Sequence, residues 1–206
     1  QQFPLELSYD NYLTAISYFN IGLLNRAKNN SLAVVPFFKE ANSYALKIKN
    51  EDGDNTNNGQ SLLFQININL SALYLENNKL NDATFYLLSA QDNLAKLSSN
   101  HYYKSQFNYY YGDLYLKRSL YNLANDKFEI ALNTLKQDKE NLDNNLLLSK
   151  IYKAYSISLE KTGHSDLAYT MLKLNDYKRE RYINEEKRNQ ETIFDSKLNI
   201  ELYKQD

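Results

Sequence analysis

Small and large apolar residues follow one another along this chain at fixed intervals, between short polar stretches. Between positions 109 and 132, one glycine, Gly112, precedes two alanines, Ala124 and Ala131. The large Phe128 lies between the alanines, sixteen positions after the glycine. This order predicts two helices packed face to face, because a small residue lets the partner helix approach closely while a large one fills the remaining space. The segment is therefore predicted to form a helical hairpin.

The same spacing recurs around three other small residues, so the chain contains four similar units. In the first and last units Val34 and Asn175 replace an alanine. Polar turns at residues 77–82, 117–122 and 161–166 are suited to reversing the chain direction within a unit. The pattern predicts an all-α protein with four antiparallel helix pairs and no sheet. The residues expected at the helix contacts are Gly22, Ser71, Gly112, Ser156, Ala83, Ala124, Phe128, Ala131 and Ala168.

The units resemble tetratricopeptide repeats, whose signature is a helix pair with a small residue in the first helix and an A-x3-F-x2-A run in the second. Ala124, Phe128 and Ala131 match that run in full, although the tryptophan common early in such repeats is replaced in all four units. The resemblance implies an α-solenoid of about four helical hairpins. The expected repeats lie near residues 15–48, 64–97, 105–138 and 149–177, followed by a charged C-terminal capping or linker helix over 178–206.

Tetratricopeptide arrays typically bind extended peptides or helices in a concave groove formed by the first helix of each pair. The resemblance therefore implies a non-catalytic protein-interaction or sensing module whose partner is a protein or peptide. Transferring that geometry to this chain selects a mixed, largely polar groove. Its residues are Gln65, Asn69, Gln106, Tyr109, Asp113, Lys150 and Lys153, with Ile68, Ala72 and Ile157 beside them.

Some members of the family hold a C-terminal carboxylate in this groove, and part of that pattern is present here. Asn69 and the two groove lysines match it. The first unit, however, has Phe19 and Leu23 where a lysine and an asparagine are needed. The first unit therefore argues against a carboxylate clamp.

The polar stretch at residues 49–61 contains two glycines and few apolar residues, which predicts an exposed loop between the first and second units. Its acidic residues Glu51, Asp52 and Asp54 only partly resemble a calcium loop, because the ligand spacing and the terminal glutamate of that motif are missing. No bound metal is expected.

The charge balance narrows the classes of partner. The 25 acidic and 24 basic residues leave a net charge of −1, so the chain lacks the basic field typical of proteins that bind nucleic acid directly. No apolar run reaches the roughly 20 residues that a membrane span needs. The compartment stays open: it is extracytoplasmic (periplasmic) if Gln1 follows a cleaved signal, and cytoplasmic otherwise.

The sequence offers little material for catalysis. There is no cysteine, which excludes thiol nucleophiles and thiolate metal sites. The two histidines, His101 and His164, are far apart in sequence and nothing places them together, and the glycines form no phosphate-binding cluster. We therefore expect neither an enzyme nor a bound cofactor.

The charged C-terminal segment carries one narrow apolar strip, formed by Phe194, Leu198 and Leu202. Two roles are open. The strip could fold back as a cap over Leu172 of the last unit, or it could pair with a second copy as a weak homodimer. A repeat array that leads into such a helix resembles sensor regions of multidomain signalling or transcriptional regulators from bacteria of the flavobacterial type. The alternative is a free-standing scaffold or assembly factor.

Overall fold

The computed structural model describes residues 4–28, 32–48, 55–97, 100–137 and 142–203, and within these ranges the ordered elements are helices without any strand. The all-α prediction is confirmed. A short 3-10 helix, Leu32–Val34, precedes the second helix. The helices are α1 (Pro4–Lys28), α2 (Val35–Ala45), α3 (Asn55–Glu76), α4 (Leu80–Leu94), α5 (His101–Lys117), α6 (Tyr121–Leu135), α7 (Leu142–Lys161) and α8 (Ser165–Tyr203).

The most extensive helix contacts join consecutive helices in pairs, α1 with α2, α3 with α4, α5 with α6, and α7 with α8. In the third pair, the Ser105 hydroxyl donates to the carbonyl of Ala131 at 2.9 Å, whereas Gly112 lies against Phe128. Residue numbers therefore rise along α5 as they fall along α6, so the two helices are antiparallel. Contacts also join α1 with α3, α3 with α5, and α5 with α7, which places these four helices side by side in one layer.

The turns within the second, third and fourth pairs share one backbone conformation. Asn78, Ser119 and Gly163 have positive φ angles of 56°, 59° and 83°. In each turn the next amide donates to a carbonyl five residues earlier, for example Lys79 N–H to Tyr74 at 2.8 Å. This is the Schellman ending of a helix, in which one left-handed residue reverses the chain and satisfies a free carbonyl. The second helix in each of these three pairs therefore follows the same turn conformation.

Small and large residues meet where the paired helices cross. A Cβ atom at Gly112 would lie 2.5 Å from Cε1 of Phe128, and one at Gly22 would lie 2.8 Å from Cε1 of Phe38. Both phenylalanines are fully buried. The glycines are therefore required by the close approach of an aromatic ring, since even a methyl group would overlap with it.

The corresponding positions of the other two units hold a different pair of residue types. There a serine replaces the glycine and a leucine replaces the phenylalanine: Ser71 with Leu87, and Ser156 with Leu172. Ser71 and Leu87 are fully buried. Serine is larger than glycine and leucine is smaller than phenylalanine, so the combined volume of the two residues is similar in each contact. Leu172, on the last of the described helices, is 45% exposed.

One boundary predicted from the sequence is wrong. Helix α3 begins at Asn55, so residues 55–61 of the predicted loop are helical. Gly59 is buried there, and a Cβ atom at this position would lie 3.5 Å from Ile48. Composition suggested a loop, but packing against the preceding segment supports a helix. Residues 49–54, with the acidic residues considered as a calcium loop, lie outside the described residues.

Helix α8 runs without interruption from Ser165 to Tyr203, across the position after Tyr177 where the sequence pattern changes. Its first part packs on α7: Ser149 donates to Asn175 at 2.8 Å, and Asn145 donates to Glu185 at 3.3 Å.

Beyond this contact, residues 187–197 are all exposed, and Phe194 is 67% exposed. Phe194 and Leu172 lie on the same continuous helix, so Phe194 cannot fold back over Leu172. Phe194 therefore does not cover Leu172, while the side chains of Leu198 and Leu202 lie outside the described residues. None of the described helices combines the length and apolar character that crossing a bilayer requires.

Candidate functional site

A cavity of about 340 Å³ opens between α3, α5 and α7 on the layer formed by the first helices of the pairs. We call it the central groove. Its apolar residues are Ala72, Leu116, Ala154 and Ile157, together with the rings of Tyr109 and Tyr110. Its charged residues are Glu76, Asp113, Lys117, Lys150 and Lys153. The groove therefore combines apolar walls with charges of both signs, as binding sites for extended ligands often do.

The repeating units explain why these residues meet. Ala72, Asp113 and Ile157 each follow directly after the small residue of their unit, so they occupy equivalent places on three neighbouring helices. Tyr109 and Lys153 are likewise equivalent, three positions before the small residue. Because α3, α5 and α7 lie side by side, equivalent positions line up across the layer. One face of each helix thereby contributes to a single groove.

Four of the seven predicted groove residues line the central groove together: Tyr109, Asp113, Lys150 and Lys153. Ala72 and Ile157, expected beside them, also line it. Tyr109 has a second role, because its ring lies 6.3 Å from that of the buried Phe128 and so belongs to the packing between α5 and α6.

The other three predicted residues do not line this cavity. Gln65 donates from its side-chain amide to the Tyr103 hydroxyl at 3.1 Å, and Gln106 is half-buried elsewhere on α5. The side chain of Asn69 forms hydrogen bonds with neighbouring residues. Ile68, expected beside the groove, is only 1% exposed and belongs to the core.

Arg26 of α1, which the sequence did not single out, organises the α3 side of the groove. Its guanidinium donates to Asn69 Oδ1 at 2.8 Å and to Glu76 Oε1 at 2.7 Å. Asn69 in turn donates to the carbonyl of Gln65 at 2.9 Å, so both ends of its amide are used within the protein. Arg26 also forms a hydrogen bond with the side chain of Tyr110. An asparagine engaged in this way is not free to hold a ligand's carboxylate.

A signal for Arg26 was available in the sequence. It stands four positions after Gly22, the place where the third unit has Leu116, a residue of the groove wall. An arginine at a position that another unit fills with an apolar wall residue indicates a polar contact inside the layer. Its partners, however, lie 43 and 50 residues further along the chain.

Two charged groups of the groove are held in surroundings that disfavour their charge. Burial raises the pKa of the Asp113 carboxyl, the charge of Lys117 opposes that shift, and Glu76 adds to it. Burial also lowers the pKa of the Lys150 ammonium, helped by the positive charge of Arg26 and opposed by Glu76. Lys150 as a whole is exposed, although it lines the groove.

The two tyrosines that line the groove, Tyr109 and Tyr110, have pKa values raised above the usual range and are therefore neutral at pH 7. Burial raises the pKa of Tyr110 to about 12, although the guanidinium of Arg26 opposes the shift. Burial also raises the pKa of Tyr109 well above its usual value. Their ring centroids lie 4.8 Å apart. Neutral phenol rings in close contact form a rigid wall that can present hydroxyl groups without carrying charge.

Glu76 is the charged groove residue with an ion-pair partner inside the described part of the chain, the guanidinium of Arg26. By the same distance criterion, Asp113, Lys117, Lys150 and Lys153 have no ion-pair partner among the described residues. Of these four, Asp113 is half-buried and the three lysines are exposed, and a partly buried charge without a partner is unfavourable for the free protein. Perturbed charges in a cleft are more typical of a functional surface than of one selected only for stability.

Other parts of the described chain offer less chemistry. A shallow depression of about 560 Å³ lies beside the turns after α5 and α7, where Lys161 is its one charged residue. The described residues contain no group of three acidic or histidine side chains that could hold a metal ion. His101 begins α5, whereas His164 lies in the turn after α7, where it contacts the Thr162 hydroxyl at 3.0 Å. The two histidines thus lie at opposite ends of neighbouring helices.

Comparison with known proteins adds no relative: neither the protein-family models nor the curated proteins that were searched match this chain.

Proposed function

We propose that this chain is a tetratricopeptide-like α-solenoid that acts as a non-catalytic interaction or sensing module and holds a segment of a partner protein in the central groove. The main support for this proposal is the central groove, a cavity with apolar walls and unpaired charges on the layer of first helices. The repeated Schellman turn and the contact of small with large residues support the solenoid assignment.

The larger setting that we propose is a bacterial signalling or transcriptional regulator. The observation in favour is the exposed end of α8, a surface separate from the groove that could pass a binding event to another part of such a protein. A free-standing scaffold or assembly factor is the alternative. Reading the gene beyond Asp206 separates them, because a regulator requires a further domain and a scaffold does not.

Blocking the groove tests the interaction function directly. Ile157 lines the cavity and is 44% exposed, so Ile157→Trp should fill the groove without disturbing the core. Ile130 on α6 is 45% exposed and does not line the cavity, so Ile130→Trp is a matched control. Partners captured from a lysate of the source organism by the immobilised wild-type chain should be lost with Ile157→Trp and kept with Ile130→Trp.

Capture that survives Ile157→Trp, with wild-type thermal stability, would contradict the proposal. Loss of capture by both variants would also contradict it, because the effect would then come from an added tryptophan anywhere on the surface.

A further inference from the structure

The charges of the central groove are distributed unevenly between its two sides. On the α3 side, the carboxylate of Glu76 is neutralised by Arg26, with their atoms 2.7 Å apart. On the side of α5 and α7, three lysines face the single unpaired carboxylate of Asp113. Two positive charges are therefore in excess on this side, in a chain whose net charge is only −1. This side of the groove is therefore positively charged, although the protein as a whole is close to neutral.

Arg26 decides which side of the groove is open to a charged ligand. Its guanidinium already fills the position where an arginine or lysine of a partner could reach Glu76 and Asn69. A basic ligand would have to displace two charge-assisted hydrogen bonds, which are stronger than neutral ones. An acidic ligand needs no displacement, because the ammonium groups of Lys150 and Lys153 have no ion-pair partner among the described residues.

The walls between these charges favour an apolar side chain. Leu116, Ala154, Ile157 and Tyr109 line the same cavity as the lysines. The cavity of about 340 Å³ is at the lower end of the range for small ligand sites, so it suits one large side chain with a short piece of backbone. A site with an apolar centre and a positive edge is complementary to an apolar residue flanked by carboxylates.

We propose that the central groove binds an acidic segment of a partner protein, in which one apolar side chain of about leucine size enters the cavity and flanking Asp or Glu carboxylates pair with Lys150 and Lys153. This inference rests on the proposed function and specifies its ligand. Burial lowers the pKa of Lys150, so its charge is disfavoured, and a neighbouring carboxylate would relieve that. The same reasoning makes Lys150 and Lys153 residues that determine specificity.

The probe is a fluorescein-labelled heptapeptide with a central leucine flanked on each side by a glutamate and an aspartate. Acetylated and amidated ends leave only side-chain carboxylates. Binding to the full chain is followed by fluorescence anisotropy. Two matched peptides carry lysines or glutamines in place of the four acids, and a third keeps the acids but has glycine in place of leucine. We expect the acidic leucine peptide to bind at least about tenfold more tightly than each of the others, since tenfold corresponds to about 1.4 kcal/mol.

Lys150→Met and Lys153→Met should each weaken binding of the acidic peptide by about tenfold, as loss of one charge-assisted hydrogen bond predicts. Lys39→Met, an exposed lysine on α2 outside the groove, should leave binding unchanged. Thermal unfolding provides the folding control: Lys150→Met should be about as stable as wild type, because Lys150 is exposed and has no ion-pair partner among the described residues. Weakened binding by a variant of equal or greater stability cannot be attributed to misfolding.

Equal or tighter binding of the lysine peptide would overturn this inference, and so would binding of the acidic peptide that both lysine variants leave unchanged. The inference can fail while the proposed function stands. In that case Ile157→Trp abolishes partner capture, yet the acidic peptide neither binds nor competes with the partner. Partner capture that is insensitive to Ile157→Trp would instead contradict the proposed function itself.

Discussion

The Gly112–Phe128 contact allows a test of the repeat geometry by exchanging residues between units. Gly112→Ser places a Cβ atom about 2.5 Å from the Phe128 ring, a separation that the packed core cannot accept without movement. Overpacking of this kind costs about 1–3 kcal/mol, partly offset by about 0.5 kcal/mol because serine is a better helix former than glycine. We therefore expect a net loss of about 1–2 kcal/mol in the free energy of unfolding.

The second unit shows how the chain itself accommodates a serine at this place, since Ser71 is matched there by Leu87. Adding Phe128→Leu to Gly112→Ser recreates that pair in the third unit. Phe128→Leu alone should be destabilising by about 1–2 kcal/mol, because it removes part of a fully buried ring. In the double variant the serine occupies the vacated space, so the combined loss should be smaller than the sum by about 1 kcal/mol or more.

Urea unfolding followed by circular dichroism measures all four proteins of this cycle, provided that their unfolding is two-state. Gly59→Ala is the control for helix propensity: a Cβ atom there would meet Ile48 at an ordinary 3.5 Å, so this variant should be neutral or more stable. Single effects that add within about 0.5 kcal/mol would refute the reasoning, because independent sites are additive to that extent. Gly112→Ser as stable as wild type would refute it too.

Three further predictions concern the groove and the end of α8. Asp113→Asn should stabilise the protein at pH 7, because burial raises the pKa of Asp113 in the folded state and ionisation of this carboxyl therefore opposes folding above that pKa. The gain in stability should vanish as the pH falls towards the unfolded-state pKa of about 3.9. Thermal unfolding at several pH values would show this. Arg26→Met should lower the free energy of unfolding by about 1 kcal/mol, because the hydrogen bonds to Asn69 and Glu76 are lost at a partly exposed site; an unchanged urea midpoint would contradict this. Phe194→Ser should change the melting temperature of the isolated chain very little, since this ring is 67% exposed, while weakening any self-association seen by sedimentation at high concentration; a drop of several degrees would mean that Phe194 packs against the fold.

Much of the fold was predictable because its causes are local. The interval between Gly112 and Phe128 consists of the end of α5, a three-residue turn and the start of α6. These parts follow from helix geometry and turn chemistry alone. The same argument failed at residues 55–61, where polar composition suggested a loop. A polar sequence can still be helical when one face packs against a neighbour, as Gly59 does against Ile48.

The groove was predictable only in part. Tyr109, Asp113, Lys150 and Lys153 were selected from the resemblance, because equivalent positions of neighbouring units face the same way. No periodicity in the sequence could show that Arg26 holds Asn69. That contact depends on how closely α1 approaches α3, which the side chains between all the neighbouring helices decide together.

The sequence by itself therefore determined the helical units, their turns and the helix face on which groove residues lie, because steric spacing and turn formation act over at most a few tens of residues. Only the tertiary structure decided which charges are paired and which are left free. Arg26 neutralises Glu76 from 50 residues away, and Lys150 stays without an ion-pair partner within the described part of the chain. Pairing of charges depends on distances of a few ångströms between separate helices, and these distances arise only when the whole array has packed.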